Sequence, residues 1–381
     1  MASIKLKGDV SGEVTISAPA VAGTTTLELP ATSSTLATQN SLGVRNLIIN
    51  GDMRIAQRGT SVTGKTTGGY DTVDRFIYSN GGETITEEQS TDVPTGQGFS
   101  NSFKATITTA NTPTGTQQAY IATRLEAQNL QHLKFGTSSA ETLTLSFWIK
   151  TNFTDQITLW LWNPDASRHI AYALNVAASG TWEKVTWAID GDTAGSINND
   201  NGVGLQLRWI LSAGGDFQGG TLDTTWGPIT TAGRYQGQGN FTGTTSNYIN
   251  ITGVQLEAGS ATPFEHRPYD MELQRCQRYF WKTFPTSVAP AQNTATGNML
   301  FAGIRADVLA GHDFTVEMRA APTLISYNPY ASNSSFRAYG GADHTVTNIV
   351  ADTKRIMWIN LGSPFTPPNG VHGHITASAE L

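Results

Sequence analysis

Two carboxylates held at a fixed separation can hydrolyse a glycosidic bond, and the chain offers two close pairs. Glu87 and Glu88 are adjacent, so a strand would send them to opposite faces. Asp190 and Asp192, in "IDGDTAG", share a face or a loop. That composition reads first as a turn and second as a pair of oxygen ligands for Ca²⁺. His372 and His374 flank Gly373. A strand would turn both imidazoles to one side, whereas the loosening effect of glycine favours two surface histidines at a turn. Cys276 is the single cysteine. No base is recognisable beside it, so it reads as a small apolar residue rather than a nucleophile. No GxSxG, HExxH, CxxC pair or phosphate loop occurs. Hydrolysis therefore ranks last, and the sequence predicts no catalytic residue and no required cofactor.

Sugar recognition needs aromatic faces with amides and hydroxyls nearby, and here the chain offers more. In "QITLWLWN", Leu159 and Leu161 take one strand face while Trp160 and Trp162 take the other. A strand apolar on both faces is either buried on both sides, in a core or subunit interface, or displays its aromatics in a groove. Trp226, Tyr235 and Tyr248 lie in a Gly-rich neighbourhood where exposure is expected. "ISYNPYASNSSFRAYGG" strings Tyr327, Tyr330, Phe336 and Tyr339 among Asn and Ser. Aromatic anchors among small polar residues suit an adaptable binding loop; the alternative is that they fill a small domain's core.

These residues must be positioned by strands. The chain has 381 residues, and only 14% are charged, well below the usual quarter. Thr, Ser, Asn and Gly fill the gap, as in particle-surface β-proteins. A net charge of −6 gives no electrostatic reason to expect nucleic acid. A lone cysteine excludes an intramolecular disulfide framework and suggests folding in a reducing cytosol. Neither a signal peptide nor a run of about twenty apolar residues is evident, so no membrane insertion is expected. Residues 1–45 alternate at Val14/Ile16 and Leu27/Leu29. They are too few to bury a core alone, so they either pack on a partner or form a flexible tail.

Residues 46–265 read as short strands broken by Gly, Asn, Asp, Ser and Thr clusters. Leu205, Leu207, Trp209 and Leu211 share one face, with Gln206 and Arg208 on the other; Val185, Trp187 and Ile189 share another. Residues 266–282 predict one helix, with Tyr269, Leu273, Cys276 and Phe280 on a stripe and with Arg267, Arg275 and Arg278 pairing across a junction. Residues 283–381 return to β. The fold predicted is all-β: a jelly-roll β-sandwich, a short linking helix, a second and smaller β-sandwich-like domain, and a short N-terminal β attachment segment.

The blocks "NLIINGDMRIAQRG", "YDTVDRF", "LSFWIKTN", "GTWEKVTWAIDGDTAG", "ITGVQLEAGSATPFEHRPYDMELQRCQRYF" and "ITASAEL" resemble bacteriophage tail-fibre or tail-associated proteins, over about residues 46–282. The 46–265 part resembles a carbohydrate-binding-module jelly roll, and the opening segment is similar to N-terminal segments of phage virion proteins. The resemblance implies a homotrimeric component of the virion tail, made in the host cytoplasm, joined to other tail proteins through residues 1–45. In a trimer, three copies of His372 and His374 near the axis would offer six nitrogens, enough for an octahedral metal site. The helix would act as an interdomain joint or clamp three chains.

With the residues above, the expectation is a non-enzymatic tail-fibre or tail-tip protein that binds host-surface glycan. Contacts would come from Tyr327, Tyr330, Phe336 and Tyr339, or from Trp160, Trp162, Trp226 and Tyr235. The alternative is a purely structural virion component, a capsid decoration or baseplate protein, whose jelly roll makes protein contacts.

Overall fold

The computed structural model describes residues 3–7, 11–17, 45–177, 179–305, 307–338, 341–364 and 370–381, with Ser3, Ile4, Val14, Ile16 and Ser17 described by backbone alone. The chain divides into Met1–Gly43 and Val44–Leu381. In the first unit, β1 (Ser3–Lys7) and β2 (Glu13–Ser17) form an antiparallel hairpin. Lys5 and Glu13 pair across it at 2.6 Å. The expected Leu27/Leu29 repeat lies outside the described residues.

The second unit opens with β3 (Ser61–Lys65), β4 (Ile77–Ser79), β5 (Thr84–Ser90), β6 (Ser102–Thr109) and β7 (Gln118–Glu126). There follow β8 (Leu143–Thr151), β9 (Gln156–Asn163), β10 (Arg168–Asn175) and β11 (Glu183–Ile189). The sandwich ends with β12 (Val203–Ala213), β13 (Gly227–Pro228) and β14 (Tyr248–Ala258). They build two six-stranded sheets, in the orders β13-β10-β9-β12-β7-β4 and β11-β8-β14-β6-β5-β3.

Alternation decides which side chains face the space between the sheets. Leu205, Leu207, Trp209 and Leu211 of β12 point inward, as do Leu159 and Leu161 of β9 and Val185, Trp187 and Ile189 of β11. Trp209 stands edge-on to Phe147 of the facing sheet at 5.4 Å between centroids. Each such side chain, taken from water, contributes roughly 1.5–3 kcal/mol, which holds the two sheets in one register.

Beyond the sandwich come α1 (Tyr269–Gln277), then β15 (Phe280–Lys282), β16 (Met299–Arg305), β17 (Val308–Asp313), β18 (Thr323–Tyr327) and β19 (Phe336–Ala338). The last strands are β20 (Asp343–His344), β21 (Val346–Ala351), β22 (Arg355–Leu361) and β23 (Gly370–Ser378). These nine strands form a third sheet with its own core, to which Trp281, Phe301, Leu309, Phe336, Ile359 and Ile375 belong.

The helix is shorter than the predicted 266–282. It has nine residues, and Phe280 belongs to β15, paired with Ser378. The stripe is also rotated. Tyr269 is exposed and Leu273 half-buried, while Glu272, Cys276 and Tyr279 are buried. Glu272 turns inward because its carboxylate is needed there: it accepts from the Asn50 backbone N–H and from Arg267 Nη1 at 3.2 Å.

Candidate functional site

The outer face of the β13-β10-β9-β12-β7-β4 sheet carries a second, aromatic cluster. Strand register brings it together. Arg208 lies opposite Trp160 on one side and Ala122 on the other; Gln206 lies opposite Trp162; His169 lies opposite Trp162; Ile210 lies opposite Tyr120. The Gly-rich segment 214–240 folds over this face and adds Phe217 and Tyr235. Trp160 and Trp162 stack at 5.5 Å, and Tyr235 meets Trp160 edge-on at 5.9 Å.

Arg208 threads the middle of this cluster. Its guanidinium carbon is 4.2 Å from the Tyr120 ring centre, 4.6 Å from Trp160 and 5.7 Å from Trp162. Nη2 donates to Gln206 Oε1 at 2.9 Å, and Nη1 donates to the Tyr235 hydroxyl at 3.4 Å. Both partners are neutral. Trp160 Nε1 donates to His169 Nδ1 at 2.5 Å, and His169 Nε2 lies 3.0 Å from Asp223 Oδ2. Burial holds the His169 imidazole below its ordinary pKa, and Asp223 only partly offsets this. Arg208 Nε, Gln206 Nε2 and Trp162 Nε1 are buried without an acceptor from the protein. Such groups cost about 1–3 kcal/mol each when left unpaired. An apolar floor with convergent polar donors is the usual chemistry of a small-molecule site, and aromatic faces beside amides suit a pyranose.

Three of the predicted aromatics therefore meet: Trp160, Trp162 and Tyr235. Trp160 and Tyr235 are almost fully buried, whereas Trp162 is half-buried and offers the accessible ring. Trp226 stands apart. It packs edge-on against Phe135 at 5.6 Å and donates to the Asp190 carbonyl at 2.7 Å. Sequence reading missed Tyr120, His169, Gln206, Arg208, Asp223 and Arg234 as members of the face. Gln206 and Arg208 are signalled only as polar residues alternating with the inward Leu and Trp of β12, and the register that sets Arg208 beside Trp160 is not local.

The other predicted residues are placed differently. Phe336 is a core residue stacked on Phe301 at 5.1 Å, because Gly373 leaves room for its ring: a Cβ there would come within 2.2 Å of Phe336 Cδ1. Tyr327 is half-buried against Phe284 at 5.4 Å, and Tyr330 is exposed. The intervening loop is pinned, since Asn328 Nδ2 donates to Asn333 Oδ1 at 2.9 Å and to Asp343 Oδ1 at 3.0 Å. Tyr339 lies outside the described residues.

His372 and His374 stand in β23, not at a turn. His372 Nδ1 lies 2.7 Å from Asn298 Oδ1. His374 is buried, stacked on Phe284 at 3.7 Å with Nδ1 2.9 Å from Thr283 Oγ1. Asp192 is buried and accepts from Arg168 Nε at 2.8 Å, so its charge is already balanced by a guanidinium. Among the described residues, no three His, Cys, Asp or Glu side chains gather as a metal site.

The blocks around residues 50, 74 and 270 converge on a buried polar joint. Asn50 Nδ2 donates to the carbonyls of Ile55 and Asp74 at 2.8 and 2.9 Å. Arg267 donates to the carbonyls of Asn46 and Ile48 as well as to Glu272. Glu126, at the end of β7, accepts from Arg278 Nε and Nη2 at 2.7 and 2.9 Å and from the Tyr279 hydroxyl at 2.6 Å. Arg75, fully buried, pairs with Glu380 and lies 3.5 Å from the Tyr279 ring centre. Arg267 and Arg278 thus pair across the junction as expected. Cys276 is fully buried, and burial pushes its thiol well above its ordinary pKa, which fits a packing residue.

No protein-family model matches the chain, and no curated protein matches it in sequence. Among solved structures, it is similar to the enzymatically active domain of tailspike protein 4 of bacteriophage CBA120, at 12% identity and TM-score 0.32, over 56% of this chain and 21% of that one. It is similar to the family 11 carbohydrate-binding module of the cellulosomal cellulase Lic26A-Cel5E of Clostridium thermocellum, at 13% identity and TM-score 0.25, over 54% of this chain and 97% of that module. It is also similar to the tripod from the baseplate of bacteriophage Tuc2009, at 12% identity and TM-score 0.26, over 88% of this chain and 90% of that one.

Proposed function

We propose that the protein is a tail-associated virion component that binds a host-surface glycan without cleaving it, as a homotrimer. The observation that carries glycan binding is the outer sandwich face, where the half-buried Trp162 ring adjoins the unpaired donors of Gln206 and Arg208. Trp162 would supply the stacking platform, and Gln206 and Arg208 the hydrogen bonds that select the sugar. The buried carboxylates Glu87, Glu126, Asp192 and Glu272 each already hold a cation, and Glu83 and Glu257 are engaged by neutral donors, which supports a binding rather than a hydrolytic role. The virion setting rests on the sequence blocks that resemble tail proteins, with residues 1–45 as the attachment segment. Three linked copies would raise weak single-site affinity through effective concentration.

A glycan array with the full-length protein tests the reading, with Trp162→Ala as the variant. Loss of the strongest signals by about tenfold or more is expected for a central aromatic anchor. Unchanged binding by Trp162→Ala would move the site off this face. Light scattering checks the trimer, and release of reducing ends from a bound polysaccharide would contradict the non-enzymatic role.

A second reading is a structural virion protein. It is favoured by Leu300, Ile304, Ile325 and Trp358, which are 41–61% exposed on strands of the third sheet and would suit protein contacts. Absence of any glycan signal would select it.

A further inference from the structure

We infer that the glycan bound at the outer sandwich face carries a carboxylate, and that Arg208 is the residue that receives it. This rests on the glycan-binding reading above and names the class of sugar. Arg208 is only 9% exposed, and among the described residues it has no ion-pair partner. A buried charge without a counter-charge is costly, and proteins rarely keep one unless something completes it. Its terminal nitrogens reach only a neutral amide and a neutral phenol, and Nε has no acceptor at all.

The carboxylate of this face, Asp223, is directed elsewhere. Its Oδ2 sits 3.0 Å from His169 Nε2 and accepts from the Thr230 hydroxyl at 2.7 Å. A second cation lies on the same side. Arg234 places its guanidinium carbon 5.8 Å from the Trp160 ring centre, and among the described residues it too has no ion pair. Its Nε donates only to the Thr230 carbonyl, at 3.3 Å. Neither guanidinium of this face has a direct ion pair among the described residues, in a chain of net charge −6.

Two further unpaired groups beside Arg208 are donors, Trp162 Nε1 and Gln206 Nε2, while an unpaired acceptor, Gln118 Oε1, lies at the start of β7 on the Tyr120 side. A neutral sugar offers hydroxyls that both donate and accept. The spare donors around the guanidinium suit an acceptor-rich group, and a carboxylate is a sugar substituent that accepts without donating. Stacking of Tyr120 and Trp160 on the guanidinium shields it from water and strengthens a charge-assisted bond formed there. Trp162, the half-buried member, lies at the accessible end of the cluster, where a uronic or sialic acid ring would rest.

The test uses the full-length protein and paired probes: oligogalacturonate, oligoglucuronate and oligosialic acid, each beside its methyl ester, with neutral xylo- and gluco-oligosaccharides. Calorimetry should show at least one acid bound tenfold or more tightly than its ester. Arg208→Gln should remove that difference. Arg208→Lys, which keeps the charge and packs more conservatively, should retain part of it; near-ultraviolet circular dichroism confirms that each variant keeps its tertiary fold. Equal binding of acid and ester, or binding of the neutral oligosaccharides alone, would overturn the carboxylate while leaving glycan binding intact. An acid preference that survives in a folded Arg208→Gln protein would overturn the role of Arg208. No binding to any of these probes would overturn the carboxylate proposal, and the glycan array then decides the glycan reading by itself.

Discussion

Glu126 is where the sandwich holds the chain that leaves it, and its removal gives a quantitative test. The carboxylate is fully buried at the end of β7 and accepts three hydrogen bonds from Arg278 and Tyr279. Glu126→Ala would break a two-point bond to a guanidinium, of about 1.5–3 kcal/mol, and strand the buried Tyr279 hydroxyl at about 1–3 kcal/mol. Together, discounted because the Arg278 side chain is 29% exposed, the loss should be about 2–4 kcal/mol. Urea unfolding followed by tryptophan fluorescence measures it. A double-mutant cycle of Glu126→Gln with Arg278→Met should return a coupling of about 1.5 kcal/mol or more. Acid adds a second readout. Burial alone would raise the Glu126 pKa, but the bonds and charge of Arg278 and the Tyr279 hydroxyl win and hold it below its ordinary 4.5. A carboxylate with a depressed folded pKa contributes its full stability above the unfolded value and loses it as pH falls through the folded one. Glu126→Gln should therefore flatten the acid limb of the stability profile. A coupling under about 0.5 kcal/mol, with an unchanged acid limb, would refute the joint as a source of cohesion.

Two further outcomes follow from burial. His374 is held to a pKa of about 4, against 6.5 for an unperturbed imidazole, chiefly because burial disfavours its charged form. Between those values the unfolded chain binds the extra proton, so stability should fall as pH drops from 6.5 to 4, by up to about 3 kcal/mol; the same fall in His374→Gln would contradict the assignment. Cys276 should resist a thiol reagent in the native protein and react fully only after unfolding, and rapid native labelling would show that the helix lifts from the joint.

The sandwich was legible because its signal is local. Leu205, Leu207, Trp209 and Leu211 alternate with polar neighbours, and alternation alone assigns their face. The helix was less so. "RYFWK" carries apolar residues compatible with either period, and its strand pairing is made with Ser378, Ala377 and Thr376, far along the chain. Phe336 illustrates the same limit: its burial depends on the bare backbone of Gly373, and nothing near it in sequence announces that. At the candidate face, Trp160 and Trp162 were visible as a pair. Arg208 was visible only as the polar side of a strand, because its meaning comes from the β9–β12 register. Glu272 shows the opposite limit: a charged residue in the first turn of the helix, it is drawn inside by Arg267 and the Asn50 amide.

The central position of β23 has a consequence for biosynthesis. Residues Thr376–Ser378 lie between β15 and β18, and Val371–His372 between β16 and β19. Four strands drawn from residues 280–338 thus share one hydrogen-bonding partner that the ribosome makes after all of them. The sandwich strands end at Ala258 and can pair while translation continues, but the buried Arg75 and Glu126 must wait for Glu380 and for Arg278 with Tyr279. In the third sheet β16, β17, β22 and β21 can pair beforehand, but β15 and β18 must wait, their edges unpaired, until β23 emerges. Such edges invite pairing between nascent chains. A message cut short before codon 370 would leave the sandwich with Arg75 lacking its Glu380 partner and trailing an adhesive remnant.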